Sequence, residues 1–168
     1  EYREDFRQAR RNFDVEPRVL YADVQRDRRN YGIFFEGDFA VRTNLHFTPG
    51  VRYDQYGDLS GDFNPRLALI YNPWEKSALK AIYGTAFRAP NFFELIDPRN
   101  QNLNPERITT YELVYEQHLG EHLQTSLAGF YNQIDDLITL RPDGVFRNIA
   151  GADAKGVELE LVGNWASG

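Results

Sequence analysis

Three groups of residues have the types and spacing that could do chemistry. His118, Glu121 and His122 form an H-x-x-E-H pattern, the arrangement in which two imidazoles hold zinc beside a carboxylate base. That chemistry needs a helix to bring both imidazoles to one face. Gly120 interrupts the pattern and its flanks alternate apolar with polar, so a tight turn is expected instead. Asp54, Asp58 and Asp62 in "DQYGDLSGD" offer carboxylates to a hard cation, but their spacing does not match a calcium loop of the EF-hand type. They are expected at a solvated hairpin tip. The third group surrounds Arg88 in "YGTAFRAPNFFEL", residues 83–95. Pro90 cannot donate to a strand ladder, so the strand should end there. Arg88 is then expected to point inward near a loop end and brace carboxylates around it. The carboxylates Glu112, Glu116, Glu158 and Glu160 are expected to be hydrated or paired with Arg and Lys. No Ser/His/Asp arrangement, phosphate-binding loop or paired-carboxylate motif stands out. Neither an enzyme nor a metal or other cofactor is expected.

The elements that must position these residues are strands. The 168 residues suffice for one domain, and 42% hydrophobic with 26% charged residues argues against disorder. Aromatic residues are abundant, with 12 Phe, 10 Tyr and 2 Trp, and the net charge of −6 gives no broad reason to bind nucleic acid. Cysteine is absent, so there is no disulfide or thiolate metal site. The first residues, "EYREDFRQARR", are charged from the start and do not read as a signal peptide. No apolar run approaches the roughly 18–20 residues of a membrane helix. A membrane strand alternates and hides from hydropathy, so the mean hydropathy of −0.58 is compatible with a membrane barrel.

Period-two alternation recurs along the chain. Tyr31, Ile33, Phe35 and Phe39 lie on one face, opposite Phe34, Glu36 and Asp38. Leu45, Phe47, Val51 and Tyr53 oppose His46, Arg52 and Asp54, and Leu79, Tyr83 and Phe87 oppose Lys80 and Arg88. The pattern continues through Tyr111-Leu113-Tyr115, Leu123-Leu127-Tyr131 and Val157-Leu159-Leu161. About seven strands result, with an eighth expected to begin near "RVLYADV". Short turns at 42–44, 73–77 and 120–121 alternate with longer connections at 57–62, 90–107 and 141–147. An antiparallel up-and-down sheet, with one short-turn end and one long-loop end, gives this spacing. Residues 1–30, dense in Arg and Asp, read as a polar piece of the long-loop end.

Two all-β architectures fit this pattern. A soluble sandwich alternates because one face meets water. A transmembrane barrel alternates because one face meets lipid, where a Lys or Arg costs about 2–4 kcal/mol at the midplane. In the segments above the apolar face carries no charged residue. Tyr31, Tyr53, Tyr71, Phe87, Tyr111 and Trp165 sit near strand ends on that face, as an interfacial girdle would.

The ordered series "NPRLALIYNP", "LKAIYGTAFRAP", "NLNPERITTYELVYEQ", "SLAGFYNQIDDLI" and "NIAGADAKGVELEL" resembles the barrel of TonB-dependent outer-membrane receptors. The resemblance runs from about Tyr31 to Trp165, so residues 31–168 are read as part of such a barrel. Its most specific carriers are Phe87-Arg88-Ala89-Pro90, then Asn104-Pro105-Glu106 leading into Tyr111-Glu112-Leu113, and Gly156-Val157-Glu158-Leu159. The resemblance implies a 22-stranded barrel in the bacterial outer membrane, closed around a plug. It implies binding of a scarce nutrient such as a ferric siderophore or cobalamin, and import powered by TonB through the plug. It also implies that the long loops face outward. This chain is expected to be an internal piece, 7–8 strands without plug or TonB box, with lipid as its surround. The rim is expected at Phe87 to Pro90 and at Asn104 to Glu106. The ligand-facing loop is expected to use Asn91, Phe92, Phe93, Glu94, Arg99 and Asn102. Residues 91–103 contain no His, which disfavours haem within that resemblance. The alternatives are a soluble all-β binding or adhesion module and a passive porin-type channel.

Overall fold

The computed structural model describes residues 2–15, 18–57, 61–95, 98–100 and 102–165. Its strands are β1 (Tyr2–Val15), β2 (Arg18–Glu36), β3 (Phe39–Arg42), β4 (Leu45–Tyr56), β5 (Asp62–Tyr71) and β6 (Ser77–Arg88). They continue as β7 (Glu106–Leu119), β8 (Leu123–Asp135), β9 (Ile138–Leu140), β10 (Phe146–Asn148) and β11 (Ala152–Gly163). One short 3-10 turn, Pro98–Asn100, interrupts them. The sheet order β1-β2-β4-β5-β6-β7-β8-β11 follows the chain, and every described pairing is antiparallel. The expected up-and-down meander is therefore present.

Two short strands are continuations of longer ones. β3 keeps the register of β2 against β4, from Glu36↔Gly50 to Phe39↔Phe47. Between them Gly37 N–H donates to Pro49 O at 3.0 Å, and Pro49 has no N–H to return the bond. β9 and β10 likewise extend the β8–β11 hairpin, with Ala152↔Ile134 followed by Asn148↔Ile138. The connection expected at 141–147 narrows to a turn over Arg141-Pro142-Asp143-Gly144. Gly144 N–H donates to Arg141 O, Arg141 N–H donates to Val145 O, and Gly144 has φ +74°. Pro sets the first turn residue and Gly supplies the left-handed one, the three-residue hairpin solution.

Within the segment 1–30, expected as a polar loop piece, residues 2–15 and 18–30 form a two-stranded ribbon. β1 pairs with β2 from Tyr2↔Tyr31 to Val15↔Arg18, whereas β2 meets β4 only from Asn30 onward. The ribbon extends past the β4–β5 strand ends, on the side of the longer connections. Its sequence shows no clean alternation.

Among the described residues, neither face of the sheet is covered by a second layer. On the odd-numbered face Ile33 and Val157 are about three-quarters exposed, and Phe35, Leu159 and Trp165 are nearly as open. Tyr83, Tyr111 and Tyr131 form a row across three strands, with centroids 5.2 and 6.3 Å apart. Charges reappear on this face only towards the loop end, at Arg107, Asp135, Asp153 and Lys155. The other face carries Glu36, Arg52, Lys80, Glu112, Glu116, Glu158 and Glu160, with Lys80 Nζ 2.6 Å from Glu116 Oε1. Among the described residues the buried apolar side chains are Leu95, Leu103, Val114 and Val145. Three of these lie in the connections at the loop end, and only Val114 lies in a long strand. A water-soluble sandwich has to bury one face of each sheet. Here the largest apolar surface is left to the surroundings, as lipid requires.

Candidate functional site

The described polar and apolar groups converge at the loop end, above β6, β7 and the β8–β11 hairpin. Arg88 closes β6 and stands opposite Glu106, the first residue of β7. Its Nε donates to Glu106 Oε2, while Nη1 and Nη2 each donate to one oxygen of Glu94 at 3.1 Å. All three guanidinium nitrogens are thus committed to carboxylates. The Glu94 and Glu106 side chains are only 9% and 14% exposed, against 44% for Arg88. The hydrogen bond from Arg88 holds the Glu106 carboxyl below its ordinary value, burial opposes this, and the Ile138 N–H adds to it. The same two carboxylates hold Arg88 still more firmly protonated.

The loop after β6 is folded on this ion cluster. Asn91 N–H donates to Glu94 Oε2 at 2.8 Å, and Glu94 N–H donates back to Asn91 Oδ1 at 3.0 Å. Reciprocal bonds of this kind satisfy a tight turn's free donors. Pro90 is fully buried, and its carbonyl accepts from Arg28 Nη1 at 2.9 Å.

Three bridges then join this loop to the β9–β10 hairpin. Glu106 Oε1 accepts Ile138 N–H at 2.8 Å, so one carboxylate holds both the strand end and the hairpin. Asn100, 2% exposed, donates from Nδ2 to Glu94 O at 2.8 Å and accepts Phe146 N–H at Oδ1. Asn148 accepts Asn104 N–H at 2.8 Å and donates to the carbonyls of Asn104 and Asp136. Leu95, Leu103 and Val145 are buried at this end, and Phe93 meets Phe146 edge-on at 6.1 Å.

The expected site residues separate by environment. Phe87, Arg88, Ala89, Pro90, Asn104, Pro105 and Glu106 lie where β6 ends and β7 begins. Phe87 does not stay on the apolar face as its alternation predicts; its ring meets Tyr56 edge-on at 5.4 Å. The β5–β6 ladder stops at Arg66↔Gly84, where the next residue, Pro65, has no N–H to offer Thr85. Beyond that point the two strands are not held in a common register. Arg107 accordingly reaches Asp62, at 2.6 Å from Nη2 to Oδ2. Of the expected ligand-facing loop, Asn91, Phe93, Arg99 and Asn102 are exposed, Phe92 is half-buried, and Glu94 is turned inward to Arg88. Sequence reasoning missed Asn100, Asn148 and the hairpin residues 136–148, whose partners lie more than 40 positions away in three of these bonds.

The two metal-like patterns dissolve. His118 is the last residue but one of β7 and His122 follows Gly120, at φ +68°, on the turn, so no helix presents both rings. His122 Nδ1 instead lies 3.0 Å from Asn164 O. Asp54 and Asp62 face each other across β4 and β5, but Arg52 takes both oxygens of Asp54 at 2.7 Å. Asp58 lies outside the described residues.

Comparison with known proteins agrees with this antiparallel sheet. The family described as "TonB dependent receptor-like, beta-barrel" matches residues 1–168. The vitamin B12 transporter BtuB of Photobacterium profundum is 30% identical over 151 residues, covering 83% of this chain and 24% of that protein. The ferric-pyoverdine BN7/BN8 receptor of Pseudomonas putida is 33% identical over 110 residues, covering 65% of this chain and 14% of that protein. The crystal structure of the siderophore receptor PirA from Pseudomonas aeruginosa superposes with a TM-score of 0.76 at 24% identity. It is matched over 82% of this chain and 29% of its own. This chain therefore spans about a quarter of the length of such relatives, and it belongs to the TonB-dependent receptor β-barrel family of the bacterial outer membrane.

Proposed function

We propose that this sheet is one wall of a receptor that binds a scarce nutrient, a ferric siderophore or cobalamin, and imports it with energy from TonB. The whole receptor would supply the plug through which TonB acts. The observation that carries the reading is the loop rim, with its own small core and ion cluster, set on a sheet whose apolar face is left for lipid. In this reading the longer connections face outward, and the exposed loop residues Asn91, Phe93, Arg99 and Asn102 meet the ligand. Arg88 braces Glu94 and Glu106 and does not touch the ligand itself. The absence of His from 91–103 continues to disfavour haem.

The test uses the full-length receptor in a Gram-negative host lacking its own cobalamin and siderophore receptors. Uptake of cyanocobalamin or a ferric siderophore that is lost when TonB is deleted supports the reading. Uptake that persists without TonB identifies a passive channel. If the purified chain were monomeric and fully folded in plain buffer, the open edges and bare apolar face would have to be covered some other way, and the soluble-module reading would replace this one.

A further inference from the structure

The three bridges between the β6–β7 loop and the β9–β10 hairpin leave a groove of about 540 Å³ between them. That volume falls within the roughly 300–1,000 Å³ of small-molecule sites. Apart from Arg99, which also lines it, its polar side chains divide into two sets. Asn100 and Asn148 spend both ends of their amides on joining the walls. Asp143 accepts Val145 N–H at Oδ1 and Arg147 Nη2 at Oδ2. The second set is uncommitted: among the described residues, the side-chain amides of Asn102 and Asn104 have no hydrogen-bond partner, and both line the groove. Arg147 gives one bond to Asp143 and keeps its remaining N–H groups, with its side chain 61% exposed.

We propose that this groove is a binding subsite for the oxygen-bearing edge of the nutrient, with Asn102, Asn104 and Arg147 donating to its amide, hydroxyl or carboxylate oxygens. This rests on the nutrient-receptor reading and deepens it. Two amides and a guanidinium supply an excess of donors, which suits acceptor groups rather than a cation or an apolar surface. Asn100, Asn148 and Glu106 are positioning residues that fix the distance between the walls. A groove already held open by these bonds binds without first ordering its loops, which lowers the cost of association. The hairpin residues 143–148 thereby join a site that the loop sequence alone places only in residues 91–102.

The test is equilibrium binding of cyanocobalamin and of ferric enterobactin to the full-length receptor in detergent, for wild type, Asn104→Ala, Arg147→Gln and the double variant. The side chains at 104 and 147 are exposed, and folding is checked by heat-modifiable mobility. The expected result is a loss of affinity of about tenfold or more in the double variant for the probe that wild type binds. Wild-type affinity in the double variant overturns the subsite while leaving the receptor reading intact. Wild type binding neither probe overturns both. Asn148→Ala adds a readout of positioning: it is expected to slow association, and an unaltered association rate removes the wall-holding role.

Discussion

Replacing Arg88 by Ala strips Glu94 and Glu106 of their shared cation. Both carboxylates are largely buried, and breaking a buried pair from one side costs about 3–5 kcal/mol. Arg88 is itself nearly half exposed, and water and counterions replace part of what it gives, so the cost falls to about 2 kcal/mol. Free energy of that size is roughly a 30-fold shift in the population of an opened rim. The chain of bonds says where the opening appears. Leu95 N–H bonds within the loop to Asn91 O and Phe92 O, Ile138 N–H bonds to Glu106, and Phe146 N–H bonds to Asn100. Amide hydrogen exchange of the full receptor in detergent should accelerate about 30-fold at these three amides. Amides of the sheet, such as those of Leu69 and Leu113, should keep their protection. Arg88→Lys should fall between, because one ammonium cannot span the oxygens that the planar fork reaches. Exchange within twofold of wild type at all three sites would refute the bracing role.

Other perturbations test separate links. The folded pKa of Glu106 is depressed, so its stabilisation is complete above the ordinary carboxylate value of 4.5 and is lost as pH falls through the lower folded value. Rim exchange, corrected for intrinsic rates, should therefore be flat from neutrality to about pH 5 and rise below it. Leu159→Arg puts a charge on the lipid face and should cost about 2–4 kcal/mol in a bilayer folding titration, whereas Glu158→Arg, one residue away on the opposite face, should cost far less. Equal costs would contradict the assignment of faces. Gly144→Ala forces a side chain into φ +74° and should weaken the hairpin by about 1–2 kcal/mol, read as faster exchange at Arg141 N–H.

The sheet was legible because lipid and water impose opposite demands on alternate residues. Wherever both act, as from Leu45 to Tyr53 or from Tyr111 to Tyr115, the alternation names the strand and its faces. Over the β1–β2 ribbon no clean alternation shows, which is why it reads as loop. The turn at Arg141-Pro142-Asp143-Gly144 carries the right residues, but its strands are only three residues long and are separated from β8 and β11 by breaks at 136–137 and 149–151. Too few positions remain for a period to show. The rim was half legible. Arg88, Pro90 and Glu106 announce themselves by type and place, and the pairing of Arg88 with Glu106 follows once β6 and β7 are neighbours. Asn100 and Asn148 look like ordinary polar loop residues, because nothing local distinguishes an amide that spans two segments from one that faces water.

The same contrast explains how relatives keep the fold while losing the sequence. Lipid asks only that a side chain be apolar, so Leu113 or Val157 can be exchanged for another apolar residue without a packing partner to offend. Strand register, set by backbone bonds and turn lengths, survives such exchange, and a TM-score of 0.76 at 24% identity is the outcome. At the rim the constraint is reversed. Leu95, Leu103 and Val145 are buried on all sides, and Arg88, Glu94, Asn100 and Glu106 are matched atom by atom. Changing one of these leaves a cavity or an unpaired buried group, each worth more than a lipid-facing exchange. Exchange of the Asn102 or Asn104 side chain, exposed and without a hydrogen-bond partner among the described residues, carries no such penalty.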